Sequence, residues 1–307
     1  MKFRIAILGT GGVGGYFGGQ LARTFAGSGE VEIIFIARGT NAEAIRDGGL
    51  LIKTAEGESV VHPDLVSDDP SAIGEVDLMI VATKAFDLED GIGKYSAIIG
   101  PETAVLPLLN GVDHYDLIRN SLARSDVWNG CVFIVARLES PGTVWVGSDM
   151  RVLQFGGGID RAKMMRFLEM LKSAGVDAYL SVDIERTVWE KYVFISPLAS
   201  LTSYHDTNNG GLIRDQRDEL RRMIAEVVGV GRAKGIAFKD DIIDTTVAKL
   251  EKAPPEATSS MHSDFTKGVR NELETLTGYV VREGRKLGLN LPEYERVYGE
   301  LLSRNSN

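Results

Sequence analysis

A short apolar strand that runs directly into G-x-G-x-x-G, with a helix behind it, leaves a chain few folds to adopt. Phe3, Ile5, Ile7 and Leu8 read as that strand, and Gly9, Gly11 and Gly14 are the three glycines. Gly9 permits the tight turn out of the strand, Gly11 lets a pyrophosphate approach the backbone, and Gly14 lets the helix pack close to the strand. The open N–H groups at the helix start, reinforced by the helix dipole, favour phosphate charge. A lone motif of this kind is also found in ordinary glycine-rich turns. With the strand before it and the helix after it, Gly9, Thr10, Gly11, Gly12, Val13 and Gly14 read as a dinucleotide-binding loop.

The next strand, Val31–Arg38, sharpens the choice of dinucleotide. It ends at Arg38, ahead of Gly39, where many such folds carry an acidic residue for the adenosine ribose hydroxyls. An arginine suits an extra 2′-phosphate, so NADP(H) is the expected cofactor; a solvated surface arginine is the alternative. Asn41–Asp47 then reads as a short helix, and Leu50–Lys53 and Ser59–His62 as a hairpin around Glu56-Gly57.

Val76–Val81 reads as a buried strand with Lys84 just past its carboxyl end, and Thr103–Leu108 as another, followed by Asn110. Ligands of open α/β sheets bind at those ends, which makes Lys84 and Asn110 candidates for ligand binding. A solvated lysine and a routine Asn-Gly turn are the alternatives. A helix is expected over Val112–Leu122. This alternation predicts an α/β fold with a parallel, doubly wound Rossmann sheet.

Val127–Leu138 and Thr143–Phe155, around Pro141-Gly142, read as antiparallel additions to that sheet. Arg161–Lys172 reads as an amphipathic helix and Val176–Leu180 as a strand returning to the sheet. From about Val182 the pattern is helical, over Ile184–Tyr204, Leu212–Lys234, Asp241–Lys252, Glu272–Leu287 and Pro292–Leu302. The expected division is a Rossmann domain over 1–181 and an all-helical domain over 182–307, with substrate in the cleft between them.

Composition closes off other classes. The 307 residues are 44% apolar and 25% charged, which is globular usage. A formal net charge of −9 argues against nucleic acid or an anionic membrane as main partner. Cys131, the single cysteine, lies among Val132, Phe133 and Ile134 and reads as a buried structural thiol. His62, His114, His205 and His262 are scattered, with no metal-ligand spacing, so no metal is expected. No run approaches the roughly 20 apolar residues of a membrane span. The opening apolar run is too short for a secretory signal, and the expected location is cytoplasmic. Long helices with apolar faces are compatible with a homodimer.

A nicotinamide site needs a protein group that delivers a proton to the substrate oxygen. None of the histidines has a persuasive setting; His205, beside Asp206, comes nearest. Lys191 is the stronger candidate, because Trp189, Tyr192, Val193, Phe194 and Ile195 surround it on an apolar, aromatic helix. Partial desolvation there would favour loss of its proton and make it a usable acid. The alternative is a lysine snorkelling from an amphipathic helix. Pro197, inside the same run, is expected to kink the helix and free backbone carbonyls.

The series ILGTGGVGGYFGG, IARG, VATKAFD, LLNGVDH, VWEKYVF, SSMHSDF and NELETLTGYVVREGRKLGL spans nearly the whole chain. In this order it resembles the ketopantoate reductase (2-dehydropantoate 2-reductase) family, within the 6-phosphogluconate dehydrogenase-like group. The resemblance implies NADPH at Gly9–Gly14, a 2′-phosphate at Arg38, and Lys84 and Asn110 lining the cleft. It implies Lys191 as the general acid, Ser260 as a substrate-binding serine and Glu272 as an acidic hydrogen-bonding group of the active site. Read from the residues alone, Glu272 is an acid in the first turn of a helix and Ser260 a helix-start residue.

The implied activity is NADPH-dependent reduction of ketopantoate, a small 2-keto acid, to pantoate, a step towards coenzyme A. Three positions depart from the family pattern: Ile195, Ala199 and Ala257 stand where its bacterial prototypes carry asparagines. Fewer amides are then present to hold a hydroxylated keto acid. A paralogous reductase of another 2-keto or 3-hydroxy acid is therefore the second expectation. A non-catalytic NADP(H)-binding redox sensor is the third, and needs neither Lys191 nor Glu272.

Overall fold

The computed structural model describes residues 2–122 and 125–305. They divide into two compact units, 1–109 with 113–184 and 110–112 with 185–307.

The first unit is built on a six-stranded sheet, ordered Leu65–Ser67, Val31–Ile36, Phe3–Leu8, Leu78–Val81, Ala104–Pro107 and Asp126–Val127. Every pairing in it is parallel. The chain starts in the middle, works outward to one edge, and then crosses back to continue on the other side, which is the doubly wound Rossmann order. Side chains alternate across the sheet, and both faces are buried. Ile5, Ile7, Ile33, Phe35, Leu78, Ile80 and Leu106 join one core. Their sequence neighbours Ala6, Leu8, Ile34, Ile36, Met79, Val81 and Val105 join another. This two-sided burial explains why the strands read as continuous apolar runs.

The helix Gly12–Phe25 follows the first strand, sending Phe17 and Leu21 into the first core. Its glycines mark close approach to neighbouring layers: a Cβ on Gly15 would stand 2.6 Å from Val144, and one on Gly19 2.4 Å from Ile52. Val144 and Ile52 belong to a separate four-stranded sheet, ordered Ala136–Ser140, Thr143–Val146, Leu50–Thr54 and Gly57–Val61. A third sheet, of three strands, is ordered Asp177–Leu180, Val152–Gly156 and Asn129–Phe133. Cys131 is buried within it.

These two sheets correct the expectation for the region after Val127. The segments Val127–Leu138 and Thr143–Phe155 do not extend the Rossmann sheet, apart from the short parallel strand Asp126–Val127. Each is broken in two and shared between the separate sheets. Val176–Leu180 likewise pairs parallel with Val152–Gly156 and not with the main sheet. The hairpin turn at Pro141-Gly142 is local and was readable, whereas the parallel pairing of Thr143–Val146 with Leu50–Thr54 joins residues about ninety positions apart. Helix Arg161–Ser173 packs Phe167 against Trp128 and Phe155 at ring separations of 6.1 and 5.4 Å.

The second unit is helical and holds its own core, with Trp189, Tyr192, Val193, Leu220, Val227, Val280 and Tyr294 buried in it. Its first helix, Ile184–His205, continues through Pro197. The run Leu212–Lys234 is two helices, Asn209–Asp215 and Arg217–Ala233, because Gln216 steps out of helical geometry at φ −130° and ψ 23°. Asn208 caps the first of them by accepting from the Gly211 N–H. Beyond Ala253 come the helices Ser260–Thr266, Tyr279–Lys286 and Pro292–Asn305. Among the described residues no helix is long and apolar enough to cross a membrane.

Candidate active site

In the first unit the glycine turn has the shape a phosphate needs. Gly9 adopts φ +92°, and a Cβ there would meet the Ala82 carbonyl oxygen at 2.8 Å. Only glycine meets both demands without strain. A Cβ on Gly14 would lie 2.0 Å from the Gly9 carbonyl oxygen, so the helix and the turn could not come together with any larger residue. Gly11 is different: a Cβ there would meet nothing within 4 Å. Gly11 begins the helix with no side-chain cap, and the first turn holds no acidic residue. Open space beside uncapped N–H donors fits an anionic pyrophosphate.

The remaining residues of the loop are occupied structurally. The Thr10 hydroxyl accepts from Asn41 Nδ2 at 2.9 Å, and Asn41 Oδ1 accepts from the Gly142 N–H at 2.8 Å. The missing Cβ of Gly12 answers to the Ala136 carbonyl group, 2.4 Å away, rather than to a ligand. Val13 packs against the core of the first sheet face. At the end of the second strand, Arg38 precedes Gly39, whose φ of +58° turns the chain into helix Gly39–Gly48. The Arg38 side chain is 80% exposed and its guanidinium is 3.8 Å from the Asp87 carboxylate. Lys84 lies three residues past strand Leu78–Val81 and opens the short turn Ala85–Asp87. Beside it, the Thr83 hydroxyl oxygen is buried without a hydrogen-bond partner, a polar atom that fits a cofactor group at this strand end.

In the second unit, Lys191 Nζ donates to Asn110 Oδ1 at 3.0 Å. The fold thus joins two candidates that are 81 residues apart in sequence. Lys191 is half-buried beside the aromatic cluster of Trp189, Tyr192 and Tyr279, whose rings lie 5.7 to 6.3 Å apart. Ile195 follows one turn later on the same side of the helix and is half-buried, and Ala199 is fully buried after it.

Glu272 is 4% exposed. Its carbonyl accepts from Leu276 N–H at 2.9 Å and Thr275 N–H at 3.2 Å, so its backbone starts the following helical segment. That segment opens as a π-helical turn, Glu274–Gly278, which the sequence pattern did not reveal. Ser260 is exposed, and the capping of its helix falls to its neighbour: buried Ser259 accepts from the His262 N–H at 3.0 Å. His205 is engaged elsewhere, 2.7 Å from a Glu219 carboxylate oxygen, and Glu219 also binds Arg296. A structural ion network therefore accounts for this histidine.

The uncapped glycine turn, the parallel sheet and the separate helical unit define a Rossmann-type oxidoreductase with a helical C-terminal unit. The family model for ketopantoate reductase PanE/ApbA matches residues 5–157, and that for its C-terminal part matches residues 183–304. The chain belongs to the ketopantoate reductase family. It is 28% identical over 305 residues to the uncharacterized oxidoreductase YkpB of Bacillus subtilis, covering 98% of each chain. The crystal structure of 2-dehydropantoate 2-reductase from Porphyromonas gingivalis superposes with a TM-score of 0.87 at 36% identity, covering 98% of this chain and 100% of that one. A D-mandelate dehydrogenase bound to NADH and anilino(oxo)acetate shares the fold, with a TM-score of 0.86 at 22% identity over 99% of each chain.

Proposed function

We propose that the protein is an NADPH-dependent reductase of a small 2-keto acid, with ketopantoate as the leading substrate and pantoate as product. The observation that carries this reading is the bond from Lys191 to Asn110, a lysine proton held in place by a neutral amide. The glycine turn and Lys84 hold the cofactor, and Arg38 receives its 2′-phosphate. When bound, the reduced nicotinamide supplies hydride to the keto carbon. Lys191 delivers the proton to the developing alkoxide and regains one from solvent, so the product is the 2-hydroxy acid. Asn110 accepts from Lys191 and orients its ammonium group; Ser260 hydrogen-bonds the substrate, and Glu272 serves as an acidic hydrogen-bonding group of the active site.

The test is NADPH oxidation by purified protein with ketopantoate. Turnover with ketopantoate above all other 2-keto acids supports the full reading. One observation favours a second reading, a reductase of another 2-keto acid: the stripe that carries Lys191 continues with Ile195 and Ala199, which offer no hydrogen bonds. A panel of 2-keto acids decides, and a clear preference for one without hydroxyls would establish the paralogue. Tight NADPH binding with no turnover on any of them would point to a redox sensor.

Arg38 gives an independent prediction. A charge-assisted bond to phosphate contributes about 1.5–3 kcal/mol, or about 10- to 150-fold in affinity. Arg38→Ala should weaken NADPH by that factor in a fluorescence titration and leave NADH nearly unchanged. Equal losses for both cofactors would remove Arg38 from the 2′-phosphate site.

A further inference from the structure

Two stripes run side by side along the helix Ile184–His205. Lys191, Ile195 and Ala199 recur every four residues, and Tyr192, Ser196 and Ser200 do so one residue further on. All three residues of the second stripe are buried and all three carry a hydroxyl. The Tyr192 hydroxyl lies 2.9 Å from the Thr275 carbonyl oxygen and 3.0 Å from that of Leu276. Ser196 Oγ donates to the Leu276 carbonyl at 2.6 Å. Its one proton is thereby used, so it accepts from the Tyr294 hydroxyl, also 2.6 Å away. Burial pushes the Tyr294 hydroxyl far above its usual range, which keeps it a neutral donor. Ser200 Oγ is 2.8 Å from Thr277 Oγ1.

Three successive turns of one helix therefore reach three successive residues, Thr275, Leu276 and Thr277. All three lie within the π-helical turn Glu274–Gly278. A π turn adds a residue to the helical register and pairs N–H groups with carbonyls five residues back, as Tyr279 N–H does with Glu274. Tyr192 and Ser196 donate to the Thr275 and Leu276 carbonyls from outside that turn. The same two residues whose carbonyls they hold, Thr275 and Leu276, donate their N–H groups to the Glu272 carbonyl. Lys191 and Tyr192 are adjacent in sequence, so one short stretch of helix carries both the ammonium group and the hydroxyl that fixes the backbone of Glu272.

We infer that Tyr192 and Ser196 are positioning residues: by clamping the π turn they set where the Glu272 carboxyl group stands relative to Lys191. The inference rests on the proposed roles of Lys191 and Glu272. Misplacing a catalytic constellation by about 1 Å can cost on the order of 100-fold in rate, so the clamp has catalytic consequences without touching substrate.

Tyr192→Phe is the main test, because it keeps the ring that packs on Trp189 and Tyr279 and removes only the hydroxyl. Ser196→Ala is the second variant, with Ser196→Thr to restore the hydroxyl. Two measurements are made on each: steady-state kinetics across pH with the preferred 2-keto acid, and amide hydrogen exchange of the whole protein. Both hydroxyl-deleted variants should lose about tenfold or more in kcat, with a smaller change in KM and a shifted pH profile. Exchange should quicken across 272–279, and Ser196→Thr should recover kcat. A core role alone would lower thermal stability while leaving kcat and its pH profile as in the wild type, and that result would overturn the inference. So would unchanged exchange across 272–279. A wild type inactive on every 2-keto acid would overturn the Lys191 reading and the positioning role with it, while the exchange data would still decide whether the hydroxyls clamp the turn.

Discussion

Lys191→Ala is expected to lower kcat for 2-keto acid reduction by at least about 100-fold, the lower end of what a positioned general acid contributes. The effect should fall on kcat and kcat/KM together, because the proton is needed in the transition state and less in substrate binding. NADPH affinity should be nearly unchanged, since the glycine turn and Arg38 belong to other elements of the chain. Lys191→Arg separates charge from acid function. It keeps a cation near Asn110 but holds its proton too tightly to give it up, so it should be nearly as impaired as the alanine variant. Full activity in Lys191→Ala would remove Lys191 as the acid. Asn110→Ala should give a smaller loss, because it leaves the ammonium group present but without the amide that accepts from it.

The Rossmann sheet was legible because its signals are local. Its four central strands, Phe3–Leu8, Val31–Ile36, Leu78–Val81 and Ala104–Pro107, are buried on both faces and so read as apolar runs, whereas the edge strands Leu65–Ser67 and Asp126–Val127 are short and only partly buried. Gly9 and Gly14 report their backbone tasks directly in the residue type. The two smaller sheets were not legible, since their order depends on pairings such as Thr143–Val146 with Leu50–Thr54, and periodicity carries no information on partners. The candidate site was legible in its residues rather than in its geometry. Lys191 stood out as a lysine on an aromatic helix, and Asn110 as a residue past a strand end, but nothing in either segment says that the two side chains meet. In the sequence Ser196 and Ser200 are only small polar residues beside Ile195 and Ala199. Their stripe becomes meaningful once the π turn is seen, and a π turn leaves no mark in a helical hydrophobic pattern because it shifts the register by a single residue. Ser260 does open helix Ser260–Thr266, while the cap itself falls to Ser259, as two adjacent serines are indistinguishable by propensity.

The three glycines of the turn are expected to respond to alanine in two opposite ways. At Gly14 an added Cβ would lie 2.0 Å from the Gly9 carbonyl oxygen, and that oxygen belongs to backbone held by the sheet. The helix must shift away from the strand, at a cost near or above the upper end of the roughly 1–3 kcal/mol typical of overpacking. For a unit of this size such a loss corresponds to a fall in melting temperature of about 6–12 °C. Gly9→Ala should also destabilise, through its φ of +92° and the Ala82 carbonyl 2.8 Å from the new Cβ. At Gly11 the backbone is extended, with φ −74° and ψ −158°, and the space around a Cβ is open. Gly11→Ala should therefore change stability by less than about 1 kcal/mol. Its methyl group would nevertheless occupy the approach to the uncapped N–H groups, so NADPH and NADH should both bind at least about tenfold more weakly, a loss of about 1.4 kcal/mol. Thermal melts with and without cofactor distinguish the cases: Gly14→Ala lowers the cofactor-free midpoint, whereas Gly11→Ala keeps it and loses the rise on adding NADPH. If Gly11→Ala retained wild-type affinity for both cofactors, the pyrophosphate could not lie against Gly11, and the assignment of this turn as its binding site would fail.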